Sequence, residues 1–324
     1  DGESFSIKKS KIRGEESNGM ICAEDELGVG NDHDGILVLD DSVVPGMTAA
    51  DYFKVESDTV FEIGLTPNRT DAMHHKGVAR DLAIAMQSRG LDCDFHTDGK
   101  LSLPIVSYGK PSSMSIELKT EKAPKFGGAI VENIDGQSSP AWLKNRLLSI
   151  GESSKSLLVD VTNYILHDLG QPLHAYDLSK IKGSRIRVEE NALKQELEVL
   201  NGNTLKLDNG DIIIQDAEKI IGVAGIMGSM NSAVDDNTNS IYLEGAYFDA
   251  VSVRRSSQRL GLRSEAAIKF EKGVDPNGTD YAIDKAIRIL ANSNSGLLSS
   301  KIQMEATQDF EFWKTILSRK KLDI

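Results

Sequence analysis

The sequence predicts an α+β protein with more than one domain. Its 324 residues are long for a single hydrophobic core. Short apolar segments with strand-like alternation are interspersed with longer segments of helical spacing, and turn residues separate them. With 40% hydrophobic and 27% charged residues, the composition is that of a globular protein. We expect a partial β-barrel at the N-terminus, followed by a mixed domain with a substantial β-sheet.

Bulk properties narrow the classes of partner. No apolar run approaches the roughly 18 residues that span a membrane, and the first residues lack a signal pattern. The formal charge of −12 argues against duplex DNA as a partner, but it leaves room for RNA at a local basic patch. Cys22 and Cys93 form neither a disulfide framework nor a zinc motif, which predicts a reduced, cytoplasmic setting. The chain begins with Asp1 rather than Met, which indicates a fragment.

Residues 1–52 are predicted to contain short strands, among them 19–23 and 35–39, in part of a small β-barrel. A basic cluster stands near their start. It comprises Lys8, Lys9, Lys11 and Arg13. Two interpretations stay open: the cluster contacts phosphates, or it is a solvated edge strand whose lysines block aggregation.

Residues 53–122 are predicted to hold a strand at 60–65, a turn at 66–71, a helix at 72–88 and a linker that prolines interrupt. His74 and His75 suggest a metal at first sight. Adjacent helical side chains point about 100° apart, so both do not readily ligate one ion. We therefore expect them on the helix surface, and we expect no metal site.

Residues 123–295 are predicted to form one α+β domain. It begins with a strand at 126–134 and a helix near 140–150, where Pro140 suits the first helical turn. The segments Asn201-Gly202 and 208–210 are hairpin signals between short strands. Residues 250–260 and 279–291 are predicted helices. The remainder, 296–324, is interpreted as a boundary and the truncated start of a following domain, with a helix at 312–320.

The chain lacks the motifs of several common kinds of active site. It has no glycine-rich phosphate loop, no nucleophile elbow of the Gly-x-Ser-x-Gly type, and no zinc-binding His or Cys pattern. If this protein hydrolyses a bond, water must attack directly, and polar groups must orient it.

The best set of candidate residues is discontinuous in sequence. His174 and Asn163 belong to a dense polar segment, residues 160–177, and are able to orient water or a hydroxyl group. Glu244 ends an apolar strand, where a carboxylate can accept a hydrogen bond from a buried hydroxyl. Gly225 and Gly228 leave backbone groups open to a ligand. Each also has a structural alternative, as a satisfied core histidine, an ion-pair partner or a turn glycine. Spacing alone does not show that these segments converge.

Four groups of segments resemble, in the same order, the β subunit of bacterial phenylalanyl-tRNA synthetase. They are residues 65–71 with 77–80, 161–164 through 175–177, 225–228 with 243–244, and 261–266 with 270–276. The resemblance covers nearly all of residues 1–295. It implies an N-terminal fragment in which residues 1–52 are part of an OB-like tRNA-binding barrel and residues 123–295 are the α+β editing domain.

That resemblance also implies a function. In this family the editing domain hydrolyses tyrosine wrongly attached to the phenylalanine tRNA. By resemblance, Glu244 accepts the tyrosine hydroxyl with help from the Gly225 backbone, and His174 and Asn163 lie near the ester. The remaining residues assigned to the pocket are Gly228, Ser264 and Ala266. Ser264 stands where relatives commonly have Thr, and Gly228-Ser229 replaces a more usual Gly-Gly.

The implied partners are the phenylalanine tRNA and an α subunit, in an assembly of two α and two β chains. ATP and Mg²⁺ are expected on the α subunit, and no cofactor is expected on this chain. A second basic cluster comprises Arg254, Arg255, Arg259 and Arg263. It is interpreted either as a patch that binds tRNA or as a solvated helix face. Two other functions stay open: a non-catalytic scaffold that binds tRNA and docks the other subunit, and a sugar- or nucleoside-binding protein.

Overall fold

A computed structural model describes residues 6–29, 33–41, 43–53, 59–96, 101–135, 138–311 and 314. The chain divides into two units, residues 1–61 and residues 62–324. Among the described helices, none has the length and apolar character needed to cross a bilayer.

The first unit contains one hairpin and two single-turn helices. Strands β1 (Ser10–Ile12) and β2 (Glu15–Ser17) pair antiparallel, and helices α1 (Glu24–Leu27) and α2 (Ala49–Tyr52) follow. The predicted strands at 19–23 and 35–39 are wrong, because an apolar run forms a strand only where a partner takes up its backbone hydrogen bonds. These segments share a single backbone hydrogen bond, from Leu37 N to Cys22 O. Within the described residues no barrel closes, and the OB-like barrel remains a prediction.

The second unit begins with irregular backbone and helix α3 (His75–Ser88). The predicted strand at 60–65 is absent, and Phe61 within this segment is exposed. A 3₁₀ turn at Thr70–Ala72 precedes α3, which starts three residues later than predicted. The reason is that His74 serves as the N-cap: its Nδ1 accepts a hydrogen bond of 3.1 Å from Gly77 N.

The remaining elements follow in chain order. They are β3 (Ser115–Leu118), β4 (Lys125–Glu132), α4 (Ala141–Ser149), α5 (Leu157–Leu169), β5 (Leu173–Asp177), β6 (Arg185–Glu190), β7 (Gln195–Glu198), β8 (Thr204–Leu207), β9 (Ile212–Gln215), β10 (Ile220–Val223), β11 (Met227–Gly228), β12 (Ser240–Tyr247), α6 (Ala250–Leu260), α7 (Glu265–Lys272), α8 (Thr279–Ser293), β13 (Leu298–Ser299) and β14 (Gln303–Ala306). The predicted strand at 126–134 and the predicted helices near 140–150, at 250–260 and at 279–291 are confirmed.

Two five-stranded sheets organise this unit. The first has the order β11-β10-β9-β6-β3, in which only β3 and β6 run parallel. The second has the order β13-β4-β12-β5, and β14 also pairs with β4. One apolar core lies between the two sheets, and a second lies between the other face of the second sheet and helices α4, α5 and α8. The α+β class is confirmed.

Turn signals in this unit gave mixed results. Asn201-Gly202 joins β7 to β8 in a hairpin, as predicted. The turn at 208–210 is real, since Gly210 has φ +88°, but it connects β8 to a strand of a different sheet and makes no hairpin. Asn191 holds that turn, because its Nδ2 donates to Asp208 O at 2.8 Å.

The predicted domain boundaries at residues 52, 122 and 295 remain predictions. Strands β13 and β14 follow the last of these, and both pair with β4. The predicted helix at 312–320 lies outside the described residues, apart from Lys314.

Candidate functional site

A cavity of about 470 Å³ opens where α5, α7 and the facing edges of the two sheets meet. All seven residues predicted for the pocket line it. They are Asn163, His174, Gly225, Gly228, Glu244, Ser264 and Ala266. The structure therefore shows the convergence that spacing alone could not establish, while the chemical role of each residue remains a prediction.

Glu244 and His174 are brought together by strand register. Glu244 on β12 lies directly opposite His174 on β5. Directly paired residues point to the same face of a sheet, so both side chains lie on the face that turns towards the first sheet. The alternation of strand side chains places Tyr242 and Tyr176 on this face as well.

Burial dominates the electrostatics of Glu244. Its carboxylate accepts a hydrogen bond of 2.5 Å at Oε2 from the Tyr176 hydroxyl. Burial raises the pKa of Glu244 to about 7, although the hydrogen bond from Tyr176 lowers it. Burial and the neighbouring Glu244 carboxylate in turn hold the pKa of Tyr176 well above its ordinary value. Glu244 is therefore a carboxyl group that changes its charge near neutral pH.

His174 is held against Gly228. A Cβ atom at position 228 would lie 2.5 Å from Cε1 and Nε2 of His174, so only glycine lets the ring sit there. Nε2 is buried and has no hydrogen-bond partner among the residues that the structure describes. Burial lowers the pKa of His174 to about 4, so the imidazole is neutral at physiological pH. The ring makes an edge contact with Tyr176 at 4.4 Å between centroids.

Gly225 is both a turn glycine and part of the cavity wall. It has φ +68° in the turn between β10 and β11, which Ile226 N closes with a hydrogen bond of 3.0 Å to Val223 O. A Cβ atom at this position would also lie 3.0 Å from Cδ2 of Phe270. Gly225 can therefore be required for the turn and also border a ligand in the cavity.

Ser264 begins helix α7, and its hydroxyl is fully engaged. Oγ accepts a hydrogen bond from Ala267 N at 3.1 Å as the N-cap, and it donates to Ile226 O at 2.7 Å. These bonds tie α7 to the Gly225 turn and bring Ala266 to the wall. Ser264 therefore shapes the cavity and is poorly placed to act as a nucleophile.

Asn163 projects from α5 and has no hydrogen-bond partner among the described residues, so its amide remains available for a ligand. Sequence reasoning gave no role to five polar residues of the wall: Lys155, Thr162, Tyr176, Asn201 and Glu265. The tertiary fold brings them here, since Asn201 was predicted only as part of a hairpin turn and Glu265 was noted only within a segment of family resemblance.

The polar segment 160–177 divides into scaffold and cavity residues. Asp160 is fully buried and accepts hydrogen bonds from Ser139 Oγ at 2.6 Å and from Lys155 N at 2.8 Å. Asp177 accepts one from Thr238 Oγ1 at 2.8 Å. Both aspartates hold loops in place, and the cavity is lined from two parts of the segment, residues 162–166 on α5 and residues 172–176 on and just before β5.

The two adjacent histidines have structural partners. His74 is half-buried as the N-cap of α3, so its expected place on the helix surface is wrong. His75 Nδ1 lies 2.9 Å from His167 O, near the C-terminal end of α5. Both histidines therefore dock α3 onto α5.

The two basic clusters differ from their predicted form. In the first unit, Lys9 pairs with Glu16 at 2.7 Å across the hairpin, while Lys8, Lys11 and Arg13 are exposed. In the second unit, two of the four arginines are neutralised by partners.

The neutralised arginines are Arg259, which pairs with buried Asp211, and Arg263, which pairs with Glu271 at 2.9 Å. Arg254 and Arg255 are exposed and form no ion pair with a described residue. The predicted patch of four charges is thus reduced to two.

ATP and Mg²⁺ are assigned by the resemblance to a different subunit, and that assignment remains a prediction. In the described part of the chain, no three His, Cys, Asp or Glu side chains converge as metal ligands. No step of the chemistry below involves either group.

The chain is similar to known proteins in both its domain and its overall sequence. The family model described as the B3/4 domain matches residues 122–294. The β subunit of phenylalanine–tRNA ligase from Bacteroides fragilis is 40% identical over 301 residues, which is 93% of this chain and 37% of the relative. That from Porphyromonas gingivalis is 43% identical, over 91% of this chain and 36% of the relative.

A solved N-terminal fragment of the phenylalanyl-tRNA synthetase β subunit from Pyrococcus horikoshii covers 60% of this chain, and the match covers 59% of that fragment. Its TM-score of 0.34 and its 16% identity are too low to bear on the fold. The chain spans little more than a third of the length of the curated relatives it matches. These relatives show that the chain belongs to the family of phenylalanine–tRNA ligase β subunits, with a B3/4 domain at residues 122–294.

Proposed function

We propose that this chain hydrolyses the ester between tyrosine and the phenylalanine tRNA, with water as the nucleophile. One observation carries the proposal. Seven residues from separate elements line one cavity that contains a buried carboxylate at its wall. The hydroxyl of Ser264, which lines that cavity, is already engaged in two hydrogen bonds.

The need for such a site follows from the weakness of apolar selection. A pocket shaped for phenylalanine rejects a side chain that adds one hydroxyl by only about a hundredfold. A second site can select for the hydroxyl instead. In that site phenylalanine is the disfavoured ligand, because it leaves a buried polar group without a partner.

Glu244 is the group proposed to recognise the hydroxyl. Its Oε2 is held by Tyr176, and its Oε1 has no hydrogen-bond partner among the described residues. An ionised carboxylate accepts at both oxygens, so Oε1 is able to receive the phenol of a bound tyrosine. The Gly225 turn borders the same cavity, and we propose that its backbone helps to hold the phenol.

His174 and Asn163 are proposed to act at the ester. Water attacks the carbonyl carbon, the bond to the ribose oxygen breaks, and the ribose hydroxyl and the free carboxyl group are the products. Since the pKa of His174 is about 4, its neutral ring is a weak base and serves mainly to orient water. Asn163 offers an amide donor and acceptor for the same water or for the ribose.

We also propose that the chain works with an α subunit that holds the ATP and Mg²⁺ chemistry, and that it binds tRNA through the exposed residues of its basic clusters. The alternative is a scaffold that binds tRNA without cleaving it. The low pKa of His174 favours this alternative, because the imidazole proposed to act at the ester is then a weak base.

A deacylation assay separates the two functions. The chain is mixed with tRNA for phenylalanine charged with tyrosine or with phenylalanine, and ester cleavage is followed over time. We expect the tyrosine ester to be cleaved preferentially, and we expect Glu244→Ala to reduce that preference at least about tenfold, as for the loss of a hydrogen bond to a charged group. Glu218→Ala removes an exposed carboxylate and is the matched control. A scaffold would cleave neither ester, and an unchanged preference in Glu244→Ala would refute the role of Glu244.

A further inference from the structure

Glu244 already has a phenol as its partner. Tyr176 is 1% exposed, and its hydroxyl donates to Glu244 Oε2 at 2.5 Å. This is the same type of contact that the proposed function requires from a bound tyrosine. The second oxygen, Oε1, is left without a hydrogen bond among the described residues.

We propose that Tyr176 is a positioning residue for substrate selection: its hydroxyl fixes one oxygen of Glu244 so that the other receives the hydroxyl of the bound amino acid. This inference rests on the proposed function and adds to it the group that aims the selecting carboxylate.

Strand geometry makes Tyr176 a rigid holder. On the paired strands β5 and β12, Tyr176 lies opposite Tyr242 and one step along the same face from His174, which lies opposite Glu244. This diagonal separation is within reach of a long side chain. The terminal torsion of a glutamate is broad, so an unheld carboxylate would sample many orientations. The Tyr176 ring, buried and in edge contact with His174, has little freedom.

The hydrogen bond also affects the charge of Glu244. Burial raises the pKa of this carboxyl group, and the bond from Tyr176 opposes that rise. The other titratable groups that face it are His174 and Tyr242 on the sheet. Lys155 and Glu265 border the same cavity. The residues of β4 on this face, Phe126, Gly128 and Ile130, carry no charge. His174 titrates near pH 4, so it stays neutral while Glu244 titrates.

Tyr176→Phe tests the proposal, and Tyr242→Phe is a matched control. Tyr242 lies on the same face and is fully buried, but its hydroxyl has no hydrogen-bond partner in the described part of the chain. Both variants keep the aromatic ring, and thermal denaturation checks that each folds. The titration of Glu244 is then followed in the whole chain by NMR of labelled glutamate carboxyl carbons. We expect Tyr176→Phe to raise the titration midpoint by about one pH unit, which corresponds to the loss of a hydrogen bond to a charged group. We expect Tyr242→Phe to leave the midpoint in place.

Cleavage of the tyrosine ester gives the second readout. In Tyr176→Phe we expect kcat/KM for this ester to fall about tenfold at pH 7 and to recover towards pH 8.5, as Glu244 becomes ionised. An unshifted midpoint, an equal shift in Tyr242→Phe, or faster cleavage in Tyr176→Phe would each overturn the proposal.

The two levels of the hypothesis fail in different ways. A wild-type chain that cleaves no tyrosine ester refutes the proposed function, and the role of Tyr176 with it. A chain that cleaves the ester through Glu244, but whose Tyr176→Phe variant keeps the wild-type pH profile, refutes only the role of Tyr176.

Discussion

At the scale of single residues, the cavity contains two groups whose burial makes stability depend on pH in opposite directions. The folded-state pKa of Glu244 is raised from 4.5 to about 7, so its contribution to stability is present below pH 4.5 and is lost as pH rises through 7. The pKa of His174 is lowered from 6.5 to about 4, so its contribution is present above pH 6.5 and is lost as pH falls through 4.

Replacement of Glu244 by glutamine should therefore stabilise the fold in a pH-dependent way. Glutamine keeps the shape and an acceptor for Tyr176, and it removes the buried charge. From the two pKa values, the gain in unfolding free energy should be larger at pH 8 than at pH 5, by about 2 kcal/mol. Urea denaturation at both values of pH measures it.

Glu218→Gln, at an exposed site, should show no such difference between pH 5 and pH 8. A gain for Glu244→Gln that is equal at the two values of pH would mean that folding does not raise the pKa of Glu244. We expect the wild type to be less stable than Glu244→Gln but more selective for the tyrosine ester, because a functional carboxylate in an apolar site costs stability.

Sequence reasoning found the residues that reach the cavity better than it found their partners. Asn163, His174 and Glu244 stand out because polar side chains in apolar segments are unusual. Tyr176 did not stand out, because an aromatic residue in a strand is ordinary core. Its hydrogen bond to Glu244 depends on the pairing of β5 with β12, and local sequence does not encode strand pairing.

At the scale of elements, β4 is the strand on which the second sheet is built. It pairs with β12 on one side and with β13 and β14 on the other. Gly128 on β4 lies directly opposite Glu244. A Cβ atom at position 128 would lie 2.1 Å from Leu243 O, a backbone atom that has no freedom to rotate away. A glycine is therefore required for the strand that carries Glu244 to approach β4.

Gly128→Ala should accordingly weaken the whole second sheet. We expect a loss of at least about 2 kcal/mol in unfolding free energy, since the clash is with backbone inside a packed core. The control is Gly296→Ala, where a Cβ atom meets nothing within 4 Å and φ is not positive. Thermal and urea denaturation of both variants measure the effect, and equal stability of the two would contradict this account of the sheet.

Three helices beyond residue 138 were predicted at nearly their observed bounds, whereas α5 and α7 were not predicted and several predicted strands are absent. Helices α6 and α8 satisfy their backbone locally and present one apolar face, so spacing and caps locate them. The apolar runs at 19–23, 35–39 and 60–65 have the composition of strands but no partner in the described structure. The hairpin at Asn201-Gly202 was predicted correctly because the conformation of a two-residue turn depends on local sequence. The turn at 208–210 has the same composition and joins two sheets, a distinction that only the tertiary fold makes.

At the scale of the whole molecule, the charge of −12 opposes binding to RNA. Any affinity for tRNA must therefore come from local clusters of exposed, uncompensated cations. The exposed members of these clusters that have no ion pair with a described residue are Lys8, Lys11, Arg13, Arg254 and Arg255. Each described unit contains some of them, so the contribution of each unit can be tested separately.

The dependence of tRNA affinity on salt should identify which arginines contact phosphates. Each phosphate contact contributes about 0.7 to 0.9 to the slope of log affinity against log salt concentration. We expect Arg254→Gln and Arg255→Gln together to reduce that slope by about 1.5, because both side chains are exposed and have no described ion-pair partner. Arg263→Gln should leave the slope unchanged, because Glu271 already compensates this charge at 2.9 Å. Filter binding or fluorescence titration between about 50 and 300 mM salt measures the slopes. Screening lengths are near 10 Å at about these ionic strengths. Equal slopes for the double variant and the wild type would exclude helix α6 from the tRNA interface, and a slope lowered by Arg263→Gln would show that its ion pair opens when RNA binds.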